Sequence, residues 1–389
     1  MDPSLYDNVM FTTHRPEVIF TSGKGSWLSD ITGKHYLDFV QGWAVNCLGH
    51  CPEVLTQALT QQASTLWNCS PAFYNVPQLA LSEKLTQASG LDKAFLVSTG
   101  AEANEGAIKL ARKWGQVHKS GAYKIITMEG GFHGRTLATM SATGKPAFGT
   151  MFEPKVEGFV KVPFNNLQAC EDAIDESIVA ILLEPVQGEA GVLPATQEFI
   201  EGLASLCQQH NILLMFDEVQ TGIGRLGELF AAQVYGVQPD VMTLGKGLGG
   251  GAPLAAVLAK DSVCCFEPGE QGGTFSGNAL MCGLGLAVLN TVNQNHFLDQ
   301  IKDHSTYLQE ALATLFGKHS LRGHGLLLAV SLEQACASAI VEDCFAEGLI
   351  INAPNEECLR FMPALNVSKP EIDKMMSILT SVMKNRCSA

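Results

Sequence analysis

The chain has 389 residues, of which 46% are apolar and 16% charged, enough apolar surface for a large buried core and too much for global disorder. Lys and Arg number 25 against 39 Asp and Glu, a formal charge of −14 at neutral pH. That balance excludes a general nucleic-acid binder or a polybasic membrane binder, but not an anionic small substrate held by a few placed arginines.

The length fits one large α/β domain with a smaller companion. The first twenty residues, MDPSLYDNVMFTTHRPEVIF, hold no basic stretch followed by a long apolar run, so neither a signal peptide nor a transit peptide is expected. No run of about 18 uncharged apolar residues occurs to span a membrane. The 12 cysteines are scattered without CxxC metal spacing, and read as reduced thiols of a cytoplasmic protein.

In chain order, 23–28 and 31–39 are strand-forming runs about a turn at Gly33, the pattern of a hairpin. Residues 53–90 carry a helical pattern. From about 94 onward, short apolar runs alternate with amphipathic stretches; the runs are 95–97, 124–127, 179–183, 212–216, 241–244 and 255–259. Their apolar character is continuous rather than alternating, as strands covered on both faces require. Between the first two runs, a helix over 101–114 aligns Ala103, Ala107, Leu110, Ala111 and Trp114 on one stripe. The fold class is therefore α/β, a mostly parallel central sheet flanked by helices. After about 298, a helix, a few strands and a closing helix over 370–384 suggest a smaller α+β domain. We expect residues 1–53 to belong to that small domain, 54–297 to form the large domain and 298–389 the C-terminal small domain.

Ligands of open α/β sheets sit at the carboxyl ends of strands, so the residues after each run matter most. Lys246 follows 241–244 among Gly245, Gly247, Gly249, Gly250 and Gly251, where a flat ligand could approach the backbone. A lysine there is either a Schiff-base lysine with a lowered pKa or a solvated loop residue. Asp217 ends the run 212–216 and needs a cationic partner: a protonated pyridine nitrogen, an arginine or a helix N-terminus. Ser98-Thr99-Gly100-Ala101-Glu102 joins a strand to a helix, which makes either a phosphate site or a plain helix cap. Arg135 and Arg360 are carboxylate clamps or internal ion-pair partners. His133 has no second His or Cys at ligand spacing, so no metal is expected. Gly222–Gly227 and Gly245–Gly250 both match G-x-G-x-x-G, but neither makes the tight strand-to-helix turn of a dinucleotide site.

These pieces occur in one order. The run ending in Asp217-Glu218-Val219-Gln220-Thr221-Gly222, then Pro239-Asp240, then Gly245-Lys246, resembles the signature of the class III aminotransferases. The resemblance extends over Gly42–Asn46, Phe73–Asn75, Ser98–Glu105, Phe132–Leu137, Glu184–Glu189, Gly273–Asn278 and Arg360–Leu365. It implies fold type I and pyridoxal 5'-phosphate as cofactor. Within the family it is strongest toward the members that act on acylated ornithine in arginine biosynthesis, with 2-oxoglutarate as acceptor. Other ω-amines are the alternative: succinylornithine, N-succinyl-diaminopimelate, ornithine or 4-aminobutyrate.

The resemblance also implies roles. Lys246 would hold the cofactor and shuttle the proton, with Asp217 on the ring nitrogen. Val219 and Phe132 would cover the two ring faces, and Gln220 would reach the phenolic oxygen. Gly100 and Ala101 would bind the phosphate, joined by Thr274 from the other subunit of a homodimer. Arg135 would take a substrate carboxylate near Gly273, and Glu189 would mask Arg360 while the donor binds. Glu184 would support the ring or the Gln220 region. Three features depart from the family pattern. Trp43 stands where relatives carry a smaller residue or a tyrosine. Gly273 replaces Ser or Thr. Thr12, Thr13 and His14 occupy the segment where ornithine enzymes place a tyrosine.

Overall fold

Near the N-terminus, β1 (Phe20–Lys24), β2 (Trp27–Asp30) and β3 (His35–Asp38) form an antiparallel meander. The structure, a computed structural model, describes residues 3–387. The expected hairpin is β2–β3. Asp30 closes its turn by accepting the N–H groups of Thr32 (2.8 Å) and Lys34 (3.0 Å), and Gly33 supplies the positive φ of 88°.

The helical stretch expected over 53–90 is two helices, Glu53–Ala63 and Val76–Ser89. Pro71 lies between them. Asn75 caps the second helix by accepting the N–H of Gln78 at 2.9 Å, and Pro77 sits in its first turn. A proline has no N–H to donate, so one continuous helix could not run through this segment.

The apolar runs assemble as expected. β4 (Lys93–Val97), β5 (Lys124–Met128), β6 (Phe159–Val162) and β7 (Ile178–Leu183) come first. A short hairpin follows, β8 (Val186–Gln187) and β9 (Leu193–Pro194). Then come β10 (Leu213–Asp217), β11 (Val241–Leu244) and β12 (Ala255–Ala259). The seven-stranded order is β4-β12-β11-β10-β7-β5-β6. Neighbours from β11 to β6 are parallel, and β12 alone runs antiparallel to both its neighbours. All of β7, β10, β11 and β12 is buried, which is why those runs carry no polar alternation. Sequence patterning missed β6. It is an edge strand, and Lys161 breaks its apolar run.

Beyond the helix Asn295–Phe316, β13 (Leu321–His324) and β14 (Leu327–Ser331) open a second antiparallel sheet. β15 (Leu349–Ile350), β16 (Asn352–Asn355) and β17 (Cys358–Phe361) follow, and the helix Lys369–Cys387 closes the chain. The order is β13-β14-β17-β16. β15 instead pairs in parallel with β3, so the N-terminal meander is stitched to the C-terminal part.

Candidate active site

Parallel pairing of β10 with β11 sets Asp217 opposite Thr243, and Lys246 follows three residues later. The acid and the amine therefore emerge at the same edge of the sheet. Lys246 has φ 43°, a left-handed conformation costly for a side-chain-bearing residue and concentrated at functional sites. Its amine makes no hydrogen bond or ion pair among the described residues. Burial pulls its pKa below the ordinary lysine value; the charges of Asp217, Glu184 and Glu189 oppose that fall without cancelling it.

Asp217 is the centre of a buried polar network. Its Oδ2 accepts from Asn104 Nδ2 at 2.7 Å and His133 Nδ1 at 2.8 Å, and its Oδ1 accepts the Val219 N–H at 3.1 Å. Asn104 also donates to the His133 carbonyl and accepts from Thr243 Oγ1, both at 2.7 Å. Burial opposes the charging of His133, yet its bond to Asp217 and the Asp217 and Glu184 charges raise its pKa. The other ring nitrogen of His133, Nε2, is buried without a partner. Glu184 accepts the Phe132 N–H at 2.7 Å, and burial pushes its pKa up to about 7 against the pull of the His133 charge. Glu184 thus supports the backbone that presents Phe132.

At the end of β4, Thr99 caps the helix Gly100–His118 in a reciprocal box with Glu102. Glu102 accepts the N–H groups of Ser98 (2.9 Å) and Thr99 (2.8 Å). Gly100 and Ala101 lie in the first turn, where N–H groups have no intrahelical acceptor. Thr99 is thus the helix cap, and the N–H groups of Gly100 and Ala101 have no acceptor within the helix. A Cβ on Gly100 would stand 2.7 Å from Val219 Cγ1, and one on Gly245 would stand 3.2 Å from the same atom. Val219 is wedged where three strand-end loops converge.

The second cluster is cationic. Arg360, in β17, is fully buried and pairs with Glu189 Oε1 at 2.9 Å. Glu189 lies in the turn between β8 and β9. The other Glu189 oxygen takes Lys145 Nζ at 2.8 Å. Burial alone would raise the Glu189 pKa, but Arg360 and Lys145 hold it down at about 2. Gln220 packs against this turn; a Cβ on Gly188 would stand 1.6 Å from Gln220 Oε1. Arg135 is exposed, its guanidinium carbon 6.0 Å from the Phe132 ring and 5.2 Å from the Phe148 ring.

The structure therefore brings Asp217, Val219, Lys246 and Gly100 together, with Phe132 tied to Glu184 and Arg360 to Glu189. Trp43, Gly273 and Thr274 are exposed in the single chain, outside these bonded sets. Trp43 sits on a turn where Gln41, Gly42, Trp43 and Ala44 all have positive φ. Sequence reading missed Asn104, Thr243 and Lys145. Asn104 left a signal, because it is a polar residue on the alanine-rich buried stripe of its helix.

The model of the aminotransferase class-III family matches residues 10–383. Acetylornithine aminotransferase 2 of Bordetella pertussis is 54% identical over 381 residues, 96% of either chain. Acetylornithine aminotransferase of Ralstonia nicotianae is 51% identical over 387 residues, 97% of either chain. Among solved structures, ornithine aminotransferase from Toxoplasma gondii superposes with a TM-score of 0.94 at 30% identity, covering 99% of this chain and 95% of that one. N-acetylornithine aminotransferase from Stenotrophomonas maltophilia superposes with a TM-score of 0.86 at 33% identity, covering 99% of both.

Proposed function

Since the chain belongs to the class III aminotransferases, we propose that it moves the δ-amino group of N2-acetyl-L-ornithine onto 2-oxoglutarate, giving N-acetyl-L-glutamate 5-semialdehyde and L-glutamate. The observation that carries this reading is a buried arginine, Arg360, covered by a glutamate that is itself only half-buried. The donor reacts at a carbon remote from its carboxylate, and the acceptor reacts at the carbon beside one. A single pocket serves both only if its cation can be hidden and offered in turn. A step in arginine biosynthesis follows from the two substrates.

The residues present fit pyridoxal 5'-phosphate. The Lys246 amine, without a partner among the described residues, lies three residues beyond Thr243, the register partner of Asp217, and Val219 leaves no room for a side chain at Gly100 and Gly245. When bound, this cofactor supplies the aldehyde that receives the amino group and a ring that takes up the electron pair of the broken C–H bond. Asp217 would hold the ring nitrogen, kept in place by Asn104 and His133. Val219 and Phe132 would cover the ring faces, and Gln220 would meet the phenolic oxygen. The first-turn N–H groups of Gly100 and Ala101 would take the phosphate. Lys246, its pKa lowered by burial, would remove the proton from the donor δ-carbon and return it later. Arg135 would hold the donor carboxylate, beside Gly273 and Trp43. Glu189 would cover Arg360 during the donor half-reaction and release it to the α-carboxylate of 2-oxoglutarate.

We further propose a homodimer in which Thr274 of the partner subunit completes the phosphate site. The exposed loop carrying Thr274 supports this reading, as does its bond to the apolar 70–75 loop through Asn75 Nδ2 and the Gly277 carbonyl at 2.8 Å. Unpaired cysteines among the described residues favour a cytoplasmic setting. The β3–β15 pairing favours grouping residues 1–53 with 298–389 around a large domain of 54–297.

The test is a donor panel read by the absorbance change as the cofactor gains the amino group. N2-acetyl-L-ornithine should exceed ornithine and 4-aminobutyrate by about tenfold or more in kcat/KM. A preference for either of the others would reassign the substrate. In Lys246→Ala, turnover should fall by about a thousandfold or more in a chain that stays folded by circular dichroism. Ordinary turnover there would remove the lysine from the mechanism.

A further inference from the structure

Glu189 is divided between two cations of different character. Arg360 is fixed. Its Nε and Nη2 donate to Asn352 Oδ1 at 2.9 and 2.6 Å, and its Nη1 donates to the Gly188 carbonyl at 2.7 Å. Those acceptors are neutral and hold the guanidinium whether or not Glu189 stays. Among the described residues only Glu189 forms an ion pair with it, and the two side chains are 1% and 24% exposed. Lys145, 26% exposed, lies toward solvent on the other carboxylate oxygen. Its ammonium also stands 5.5 Å from the Phe132 ring, so it belongs to the pocket wall.

The backbone at Lys145 is pinned. The Gly144 N–H donates to the Gly131 carbonyl at 2.9 Å, and the Gly130 N–H donates to the Gly144 carbonyl at 3.1 Å. A Cβ on Gly144 would meet the Met128 carbonyl oxygen at 2.1 Å. The segment leading to Phe132 and the segment presenting Lys145 therefore form one rigid piece.

When an acceptor carboxylate takes Arg360, the Glu189 carboxylate must go somewhere. Arg360 and Lys145 together hold the Glu189 pKa down against its burial, so once Arg360 is taken Lys145 is the cation left to keep that carboxylate charged. A half-buried carboxylate stripped of its cation is costly. We propose that Lys145 is a positioning residue of the acceptor half-reaction: it keeps Glu189 paired while Glu189 releases Arg360 to the incoming 2-oxo acid. The proposal rests on the reading of Glu189 and Arg360 as a switch, and adds the third member that makes the switch reversible.

The test uses the holoenzyme and four variants: Lys145→Gln, Lys145→Arg, Glu189→Gln and the double variant Lys145→Gln/Glu189→Gln. Single-turnover kinetics follow each half-reaction, with N2-acetyl-L-ornithine and with 2-oxoglutarate. Titration calorimetry measures the Kd of glutarate, a dicarboxylate that cannot accept an amino group. Lys145→Gln should raise the 2-oxoglutarate KM and the glutarate Kd by about tenfold, while the donor half-reaction changes by less than about threefold. Lys145→Arg should recover most of the loss. In the Glu189→Gln background, Lys145→Gln should add less than about twofold, because nothing is left to hold. Equal losses in both half-reactions would make Lys145 merely structural and overturn the proposal. A loss that persists without the Glu189 charge would mean that Lys145 touches the substrate itself, which also overturns it. If Glu189→Gln separates the half-reactions while Lys145→Gln does not, this proposal fails and the switch survives. If Glu189→Gln shifts neither half-reaction, the switch fails and takes the proposal with it.

Discussion

Asn104 joins three buried groups: Asp217 Oδ2, the His133 carbonyl and Thr243 Oγ1. Asn104→Ala should cost about 2–4 kcal/mol in urea denaturation, because unmade buried hydrogen bonds carry their full desolvation penalty. It should also loosen cofactor retention, since Asp217 loses a donor that orients it. Glu218 is buried nearby and accepts the N–H groups of Ala231 at 2.5 Å and Ala232 at 2.9 Å. Burial raises its pKa from 4.5 to about 7, against those same hydrogen bonds. Between these values the folded chain keeps a proton that the unfolded chain releases. Stability therefore falls as pH rises through that window, by about 3 kcal/mol in all for this residue. Glu218→Gln should flatten the fall of the denaturation midpoint between pH 5 and 8; an unchanged slope would show that Glu218 does not titrate there. Lysine and aspartate at strand ends were legible in the sequence because charge after an apolar run is conspicuous. Lys145 was not, because a lysine in a Gly-Lys-Pro loop looks solvated until Glu189 is seen beside it.

At the scale of elements, the site depends on close approach between loops. Gly100→Ala would drive a Cβ into Val219, 2.7 Å from Cγ1. The expected cost is about 1–3 kcal/mol, typical of overpacking, together with weaker cofactor binding. Adding Val219→Ala should restore stability but not full binding, since the ring face would lose its cover. Thermal melts with and without cofactor distinguish the two effects. The six apolar runs became six strands because burial on both faces demands continuous apolar sequence. The seventh, β6, escaped notice because an edge strand tolerates Lys161. The single helical stretch at 53–90 split because propensity over a window hides two prolines, and only local capping fixes where each helix begins.

At the scale of the whole molecule, large apolar side chains lie exposed on the 67–76 loop and the 273–278 loop. Tyr74 is 82% exposed, with Trp67, Phe73, Val76 and Phe275 also exposed. Hydrogen bonds join their loops, from the Leu280 N–H to the Trp67 carbonyl and from Asn75 to Gly277. Such a patch suits a second copy of the chain. Sedimentation should give the mass of two chains, and dilution below the dimer dissociation constant should lower activity and release cofactor together. A fully active monomer would remove Thr274 from the phosphate site. Overall shape does not separate substrates within the family: the ornithine enzyme of Toxoplasma gondii superposes at 0.94, above the N-acetylornithine enzyme of Stenotrophomonas maltophilia at 0.86.

From the sequence alone came the α/β class, the family resemblance and the amine–acid pair of Lys246 and Asp217. Continuous apolar strands and the residues just beyond them are local in the chain, and periodicity reports local facts. Tertiary structure decided the rest. It placed Asn104 and His133 on Asp217, Glu184 under Phe132, and Lys145 on the Glu189 that the resemblance already set against Arg360. Those partners lie tens to hundreds of residues apart, and whether a charge is buried, paired or free to move depends on packing that no short window of sequence contains.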